Sequence, residues 1–189
     1  MSLPADRFVT VEEYLRTEPE GAVRHEYVDG LVYAMSGGSK RHAALGANFI
    51  AEFVMAARGT ACRVFTNDLK VRATRSRYYY PDVMVSCDVS DDRYTEERPC
   101  LIVEVLSPST EATDRREKLL TYLNIATLRH YLLVGQDGIR IEQYLRDGDG
   151  NWTVLDLGPG DQLVIDCPNG AFAVEEFYRD LPPPEPPTS

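Results

Sequence analysis

Helical signals occur in four stretches of the chain. Thr10-Val-Glu-Glu13 fits a capping box, so a short helix is predicted to begin near Val11. Residues 40–57 carry apolar side chains at mostly helical spacing, and Gly59 is the stop signal. Residues 114–125 and 174–178 also favour helices. The inward face of the helix over 114–125 is expected to comprise Leu119, Leu120, Tyr122 and Leu123.

Short runs of β-branched and aromatic residues predict the strands. Two such runs, 24–28 and 31–35, flank Asp29-Gly30 and predict a hairpin. Residues 101–106 are a nearly continuous apolar run, typical of a central strand that is covered on both faces, and residues 130–134 predict a second buried strand. The remaining strands are expected at 63–66, 69–73, 78–87, 139–146, 152–157 and 162–167, with loops at 88–99 and 107–110.

This order of helices and strands predicts an α/β fold with a mixed β-sheet flanked by helices. We expect one domain over residues 1–180, followed by a proline-rich tail over 181–189. A length of 189 residues suits one domain, and 43% hydrophobic with 26% charged residues argues against disorder.

Several classes of protein are excluded by what the sequence lacks. No apolar run approaches the roughly 18 residues that span a bilayer, and no signal peptide is expected, so we predict no membrane partner. The four cysteines are far apart in sequence and form no CxxC pair, so neither a zinc knuckle nor a disulfide scaffold is expected, and we predict a protein of the reducing cytoplasm. Motifs of zincins, serine hydrolases and nucleotide-binding loops are also missing.

The net charge of −10 argues at first against a nucleic-acid partner, but the charge is unevenly distributed. Residues 58–80 hold six basic groups against one acid, for a net charge of +5. This segment is either a solvated strand face or a surface that faces phosphates, and the sequence leaves both open. Its candidate nucleic-acid-binding residues are Lys70, Arg72, Arg75 and Arg77.

Glu104 is the most informative residue, because it interrupts the apolar run 101–106. A buried carboxylate costs several kcal/mol unless it is paired or bound to a metal. Glu104 is therefore either in a structural ion pair or a metal ligand. Asp82, next to Pro81 at a predicted strand end, could lie on a neighbouring strand. Two carboxylates so placed would suit Mg²⁺ or Mn²⁺.

Lys118 and Glu26 are two further candidates. Lys118 lies in the first turns of the helix that follows Glu104, where it could orient a water and stabilise developing phosphate charge, or could simply be solvated. Glu26 lies in the predicted hairpin and could point inward or outward. His42 opens the long helix, where a capping or packing role is the simpler interpretation.

Together these segments resemble the Uma-type restriction endonucleases of the PD-(D/E)XK nuclease-like superfamily, over residues 8–180. The motifs that carry the resemblance are Glu26-Tyr-Val-Asp-Gly30, the helix with His42, Tyr80-Pro-Asp-Val-Met-Val85, Ile102-Val-Glu-Val-Leu-Ser-Pro-Ser-Thr110, the segment from Asp114 through Lys118 to Tyr122, and His130-Tyr-Leu-Leu-Val134.

The resemblance implies a restriction-endonuclease-like fold, a homodimer and metal-dependent hydrolysis of DNA phosphodiester bonds. It implies that Asp82 and Glu104 bind the metal and that Glu26 is a further catalytic acid. The superfamily usually has lysine two residues after the glutamate, where this chain has Leu106. In this family that lysine is thought to lie in the next helix, which nominates Lys118, with Lys70 as the weaker substitute. One alternative is a nucleic-acid-binding or regulatory module that uses a nuclease fold without cleaving. Another is a metal-dependent hydrolase that acts on a small phosphorylated or sugar substrate.

Overall fold

The computed structural model of the chain describes residues 8–35, 37–107 and 111–183. Its helices are α1 (Val11–Thr17), α2 (Lys40–Ala57), α3 (111–122) and α4 (Val174–Phe177), and a 3₁₀ turn (Glu18–Glu20) follows α1. The Oγ1 of Thr10 accepts a hydrogen bond from the backbone N of Glu13 at 3.2 Å, so the predicted cap of α1 is confirmed. α2 has the predicted bounds and is capped by Ser39.

The strands form a six-stranded mixed sheet, a five-stranded sheet and a separate hairpin. They are β1 (His25–Val28), β2 (Leu31–Ala34), β3 (Arg63–Thr66), β4 (Lys70–Thr74), β5 (Arg77–Tyr79), β6 (Val83–Ser86), β7 (Thr95–Glu96), β8 (Leu101–Val105), β9 (His130–Val134), β10 (Ile141–Arg146), β11 (Trp152–Leu157), β12 (Gln162–Asp166) and β13 (Asn169–Ala173). The six-stranded order is β11-β10-β9-β8-β6-β3, and the five-stranded order is β2-β1-β5-β4-β7. β12 pairs with β13. The predicted mixed α/β fold is confirmed.

β8 lies inside the six-stranded sheet, parallel to β9 and antiparallel to β6, and all five of its residues are buried. The prediction of a central strand is therefore confirmed. Along β8, Leu101 and Val103 pack towards α2, whereas Ile102 packs on the opposite face with Tyr122 of α3. Because side chains alternate along a strand, Glu104 shares the face of Ile102 and points towards α3.

Two strands escaped the sequence analysis for local reasons. β7 lies within the predicted loop 88–99, and with two residues it is too short to show a periodicity. β13 has the sequence Asn-Gly-Ala-Phe-Ala, in which glycine, asparagine and alanine have weak β propensity. The expected loop at 107–110 and the tail at 181–189 fall largely on 108–110 and 184–189, which lie outside the described residues.

α3 departs from the prediction in its geometry. It consists of a short α-helical stretch (Glu111–Thr113), a π-helical turn (Asp114–Lys118) and a second α-helical stretch (Leu119–Tyr122). The expectation that Leu120 points inward is wrong, because its side chain is 68% exposed. Lys118 and Tyr122 are buried, so both point inward. Leu120 is two residues from each of them, and in a helix a residue two positions away points to the opposite side.

The cysteines also contradict the sequence analysis. Cys62 is joined to Cys87 and Cys100 to Cys167 by disulfide bonds, and the two pairs lie against each other. Separations of 25 and 67 residues concealed this convergence. We call these four residues the cysteine cluster. In the described part of the chain, no helix has the length and apolarity to cross a membrane.

The turn between β1 and β2 positions the hairpin that carries Glu26. Asp29 and Gly30 both have positive φ, at 49° and 98°, as the tight turns of hairpins require. We predict that Gly30→Ala lowers the free energy of unfolding by about 1–2 kcal/mol, because an L-residue is strained at this φ and its Cβ would lie 2.5 Å from Cδ1 of Phe8, so that the Phe8 ring must move. Urea denaturation measures the change. Gly148→Ala is the matched control, since a Cβ there meets nothing within 4 Å. Equal losses in the two variants would contradict this account of the turn.

Candidate active site

A cavity of about 480 Å³ lies between the N-terminal end of α2, the ends of β6 and β8, and α3. Six acidic or basic side chains from separate parts of the chain line it: Glu26, His42, Asp82, Glu104, Asp114 and Lys118. Charged and titratable side chains from distant parts of the sequence therefore meet at one end of the β6–β8 strand pair.

The pairing of β6 with β8 brings the two predicted metal ligands together. Val83 is opposite Val103 in this antiparallel pair, and continuing the register by one residue places Asp82 opposite Glu104. Directly opposed residues lie on the same face of a sheet. The Oδ2 of Asp82 accepts a hydrogen bond from the backbone N of Val105 at 2.8 Å, which fixes this carboxylate at the strand end.

Lys118 lies at the centre of the acidic groups. Its Nζ is 2.9 Å from Oε1 of Glu26, 3.2 Å from Oε1 of Glu104 and 3.3 Å from Oδ1 of Asp114. These acids come from β1, β8 and α3. One ammonium group thus bridges three carboxylates that the fold brings from different elements.

Hydrogen bonds and aromatic rings complete the surroundings of Lys118 and Glu104. The hydroxyl of Tyr122 donates to Oε1 of Glu104 at 3.0 Å. The Nζ of Lys118 lies 5.7 Å from the ring centroid of Tyr79, within cation–π range. Glu26 accepts from the backbone N of Tyr80 at 3.3 Å. Each charged group therefore has partners that fix its position.

Burial and charge act in opposite directions on these groups. Burial by itself would lower the pKa of Lys118, but Glu104, Glu26 and Asp114 raise it well above its ordinary value, so this lysine is protonated. Burial raises the pKa of Glu104, Lys118 opposes that rise, and the neighbouring acids Asp114, Asp82 and Glu26 add to it. The net effect raises the pKa of Glu104 well above its ordinary value, so this carboxyl takes up a proton more readily than a solvated glutamate does. By number, the four acids that line the cavity exceed the one lysine.

The structure brings together Asp82, Glu104, Lys118 and Glu26, which all line the cavity. It does not bring the candidate nucleic-acid-binding residues there. Lys70 is only 2% exposed, and burial lowers its pKa. Arg72 and Arg77 form ion pairs with Glu97 and Asp29, and Arg75 is exposed in the turn between β4 and β5.

Three cavity neighbours were not among the predicted site residues. The Nε2 of His42 lies 3.3 Å from Oδ2 of Asp82, and this hydrogen bond raises the pKa of the imidazole. Asp114 and Tyr122 flank Lys118 at spacings of four residues, which is the signal that could have found them. For His42 the sequence offered only its place in the first turn of α2.

Comparisons with known proteins give the family. The Uma2 family model, described as "Putative restriction endonuclease", matches residues 11–172. The chain belongs to the Uma2 family. The resemblance found in the motifs is therefore confirmed.

Relatives and a solved structure agree with this membership. Two uncharacterized proteins of Synechocystis sp. PCC 6803 are similar to this Uma2 chain. One, slr1290, is 40% identical and the alignment covers 90% of this chain and 91% of that protein. The other, sll1609, is 29% identical, with 83% and 92% covered. A crystal structure of "a putative nuclease belonging to DUF820" from Anabaena variabilis is 16% identical, with a TM-score of 0.73 over 90% of this chain and 97% of that one, which shows the fold.

The central position of Lys118 leads to a stability prediction. Lys118→Met should lower the free energy of unfolding by roughly 3–5 kcal/mol in metal-free buffer, because the buried carboxylates of Glu104 and Asp114 and the half-buried carboxylate of Glu26 lose their cation. Chemical denaturation measures the loss. Arg116→Met, on the exposed side of α3, is the control and should change stability by no more than about 0.5 kcal/mol.

A double variant separates the ion pair from simple loss of packing. Each single variant leaves one charge of the pair without its partner, whereas the double variant removes both charges. The double variant Glu104→Gln with Lys118→Met should therefore lower the free energy of unfolding by less than the sum of the two single losses. Strict additivity would show that the 3.2 Å contact contributes no coupling energy.

Proposed function

We propose that this protein is a metal-dependent endonuclease that hydrolyses phosphodiester bonds of DNA. The observation that carries the proposal is the excess of carboxylates in the cavity: Glu26, Asp82, Glu104 and Asp114 against the single ammonium of Lys118. Family membership supports the same reaction class. A site with surplus negative charge and oxygen donors suits a hard divalent cation.

The residues present fit such a cation. Asp82 and Glu104 face one another at the strand ends, and both contacts of Glu104 fall on Oε1, so we assign Oε2 to the metal. Oδ1 of Asp114 is buried without a hydrogen bond, although Lys118 lies 3.3 Å away. A divalent ion binds carboxylate oxygens that hydrogen bonds do not already occupy. Mg²⁺ and Mn²⁺ are the proposed ions.

When bound, the ion would supply Lewis acidity and lower the pKa of a ligated water. Lys118, which stays protonated, would stabilise the charge that develops on the phosphate. Glu26 would hold Lys118 in place and serve as a further acid of the site. His42 would act as a positioning residue, because its hydrogen bond orients Asp82.

The phosphate itself would meet a favourable field at α2. Gly38, Ser39 and His42, at the N-terminal end of this 18-residue helix, line the cavity. Backbone N–H groups and the positive end of the helix dipole attract anions there. This arrangement supports phosphate binding beside the carboxylates.

The decisive experiment uses supercoiled plasmid with Mg²⁺ or Mn²⁺. Asp82→Asn and Glu104→Gln should each lower the nicking rate at least about 100-fold, since loss of a ligand exceeds the effect of an outer partner. An amide at position 82 can still accept from Val105, so the fold is retained. Asp156→Asn on exposed β11 is the matched control and should cleave normally.

The other outcomes identify the alternatives. Salt-sensitive DNA binding without cleavage in any divalent metal would overturn the nuclease and favour a binding or regulatory module. Cleavage that persists in both variants would remove Asp82 and Glu104 from the site. Homodimer formation remains a prediction of the resemblance, and sedimentation equilibrium measures it. The cytoplasmic location remains a prediction from the sequence.

We also propose that DNA contacts the turn between β4 and β5. Among the described residues Arg75 has no acidic partner, so its charge is available to a phosphate. Arg75→Ala should reduce the slope of log affinity against log salt by about one, as one lost phosphate contact does. Arg179→Ala, at the far C-terminal end of the described chain, is the charge-matched control. Equal slopes for both variants would exclude Arg75 from the interface.

A further inference from the structure

The cysteine cluster gathers every cysteine of the sequence in one place, away from the cavity. Cys62 precedes β3, Cys87 follows β6, Cys100 precedes β8 and Cys167 follows β12. Four elements that are distant in sequence therefore each contribute one sulfur. Two independent disulfides would have no need to lie side by side.

The sulfurs are mutually close. The Sγ of Cys87 lies 3.6 Å from Sγ of Cys100 and 3.5 Å from Sγ of Cys167, and it is bonded to Cys62. The sulfurs of Cys87, Cys100 and Cys167 all lie within 4.8 Å of one another. Cys87 is thus in contact with each of the other three.

These separations match those around a single tetrahedral ion. Zn²⁺ binds thiolates at about 2.3 Å, so two sulfurs on the same ion are about 3.8 Å apart. The contacts of Cys87 with Cys100 and Cys167 have nearly this length. Once the disulfides are reduced, Cys62 and Cys87, and Cys100 and Cys167, must separate from bond length to this distance. Cys62, which is not among the three sulfurs that lie within 4.8 Å of one another, must also move towards Cys100 and Cys167 to complete the tetrahedron.

The surroundings suit a structural rather than a catalytic ion. Cys62, Cys100 and Cys167 are buried in the hydrophobic core beneath α2, whose other members are apolar. Four protein ligands leave no open coordination position, which is the property of structural zinc sites. Soft thiolates favour Zn²⁺ over the Mg²⁺ and Mn²⁺ that carboxylates prefer.

We propose that the reduced chain binds one Zn²⁺ through Cys62, Cys87, Cys100 and Cys167. The disulfides form the oxidised state of the same cluster. Two molecules of a dithiol reductant convert it: each supplies two electrons and two protons to one disulfide and becomes a cyclic disulfide itself. Zn²⁺ then replaces the four thiol protons, which leave to solvent.

This site is distinct from the catalytic one. Cys100 and Glu104 are four residues apart on the strand that becomes β8, about 13 Å at the rise of a β-strand. Cys87 and Asp82 flank the two ends of β6 in the same way. The ion would therefore hold β6 and β8 together at the end opposite the candidate ligands Asp82 and Glu104.

The first test measures metal in the full chain purified with a phosphine reductant. We expect one zinc per chain, and replacement by Co²⁺ should give the intense thiolate-to-cobalt absorption and visible bands of a tetrahedral sulfur site. A chelator should lower the melting temperature of the reduced protein and leave that of the oxidised protein unchanged. Four freely reactive thiols with no cobalt–thiolate absorption would overturn the proposal.

Single substitutions test whether the cysteines bind the metal, independently of the carboxylates of the proposed nuclease site. Cys87→Ser should abolish the cobalt–thiolate absorption, whereas Glu104→Gln should retain it in full. If Cys87→Ser does not fold, the Co²⁺ spectrum of the wild-type chain still decides. Loss of the absorption in Glu104→Gln with retention in Cys87→Ser would overturn the sulfur site. Plasmid cleavage tests the carboxylates independently, so failure of one proposal does not imply failure of the other.

Discussion

The ammonium group of Lys118 holds together three elements that would otherwise repel one another. Glu26 comes from β1, Glu104 from β8 and Asp114 from α3, and all three carboxylates lie within 3.3 Å of the same nitrogen. Without that cation, the central strand and the helix would each bring a buried carboxylate, and the first hairpin a half-buried one, to the same point. Desolvation makes such charges expensive, so the packing of α3 against both sheets depends on this contact. Four carboxylates line the cavity beside this one ammonium, and the proposed metal-dependent reaction rests on that excess.

The alternation of side chains along β8 explains how Lys118 can replace a lysine at position 106. Side chains two apart on a strand share a face, so a lysine at position 106 would lie beside Glu104. Leu106 is instead buried in the core that α3 covers, with Ile102 and Tyr122. Lys118 reaches the same region from the helix above, through a π-helical turn of the kind often found at functional sites. The site thus keeps its charge although the residue that carries it comes from another element, and the strand gains an apolar contact.

The sequence predicted what local pattern determines and missed what tertiary contacts determine. The apolar run 101–106 identified the central strand. The glutamate within that run identified its most informative residue, because a buried carboxylate must be paired with a cation or bind a metal. The opposition of Asp82 to Glu104 depends on strand register, which no local pattern specifies. Leu120 is exposed because the face of α3 that carries Lys118 and Tyr122 points inward, and the sequence did not show which face that is. The convergence of the cysteines depends on the order of strands in the sheet, so their spacing along the chain was misleading.

The pairing of β6 with β8 places two sets of potential metal-binding side chains at opposite ends of the same pair of strands. Oxygen donors lie at one end, beside Asp82 and Glu104, and sulfur donors lie at the other, beside Cys87 and Cys100. Zn²⁺ binds most donor sets more tightly than Mg²⁺, so an acidic site alone would be open to the wrong ion. In the proposed arrangement, the soft thiolates would take Zn²⁺ and the harder carboxylates of the cavity would take Mg²⁺ or Mn²⁺. The thiolate ion would join β6 and β8 at one end, and the register between these two strands places Asp82 opposite Glu104 at the other end. The proposed zinc would therefore contribute to the stability of the strand pair on which the proposed carboxylate site is built.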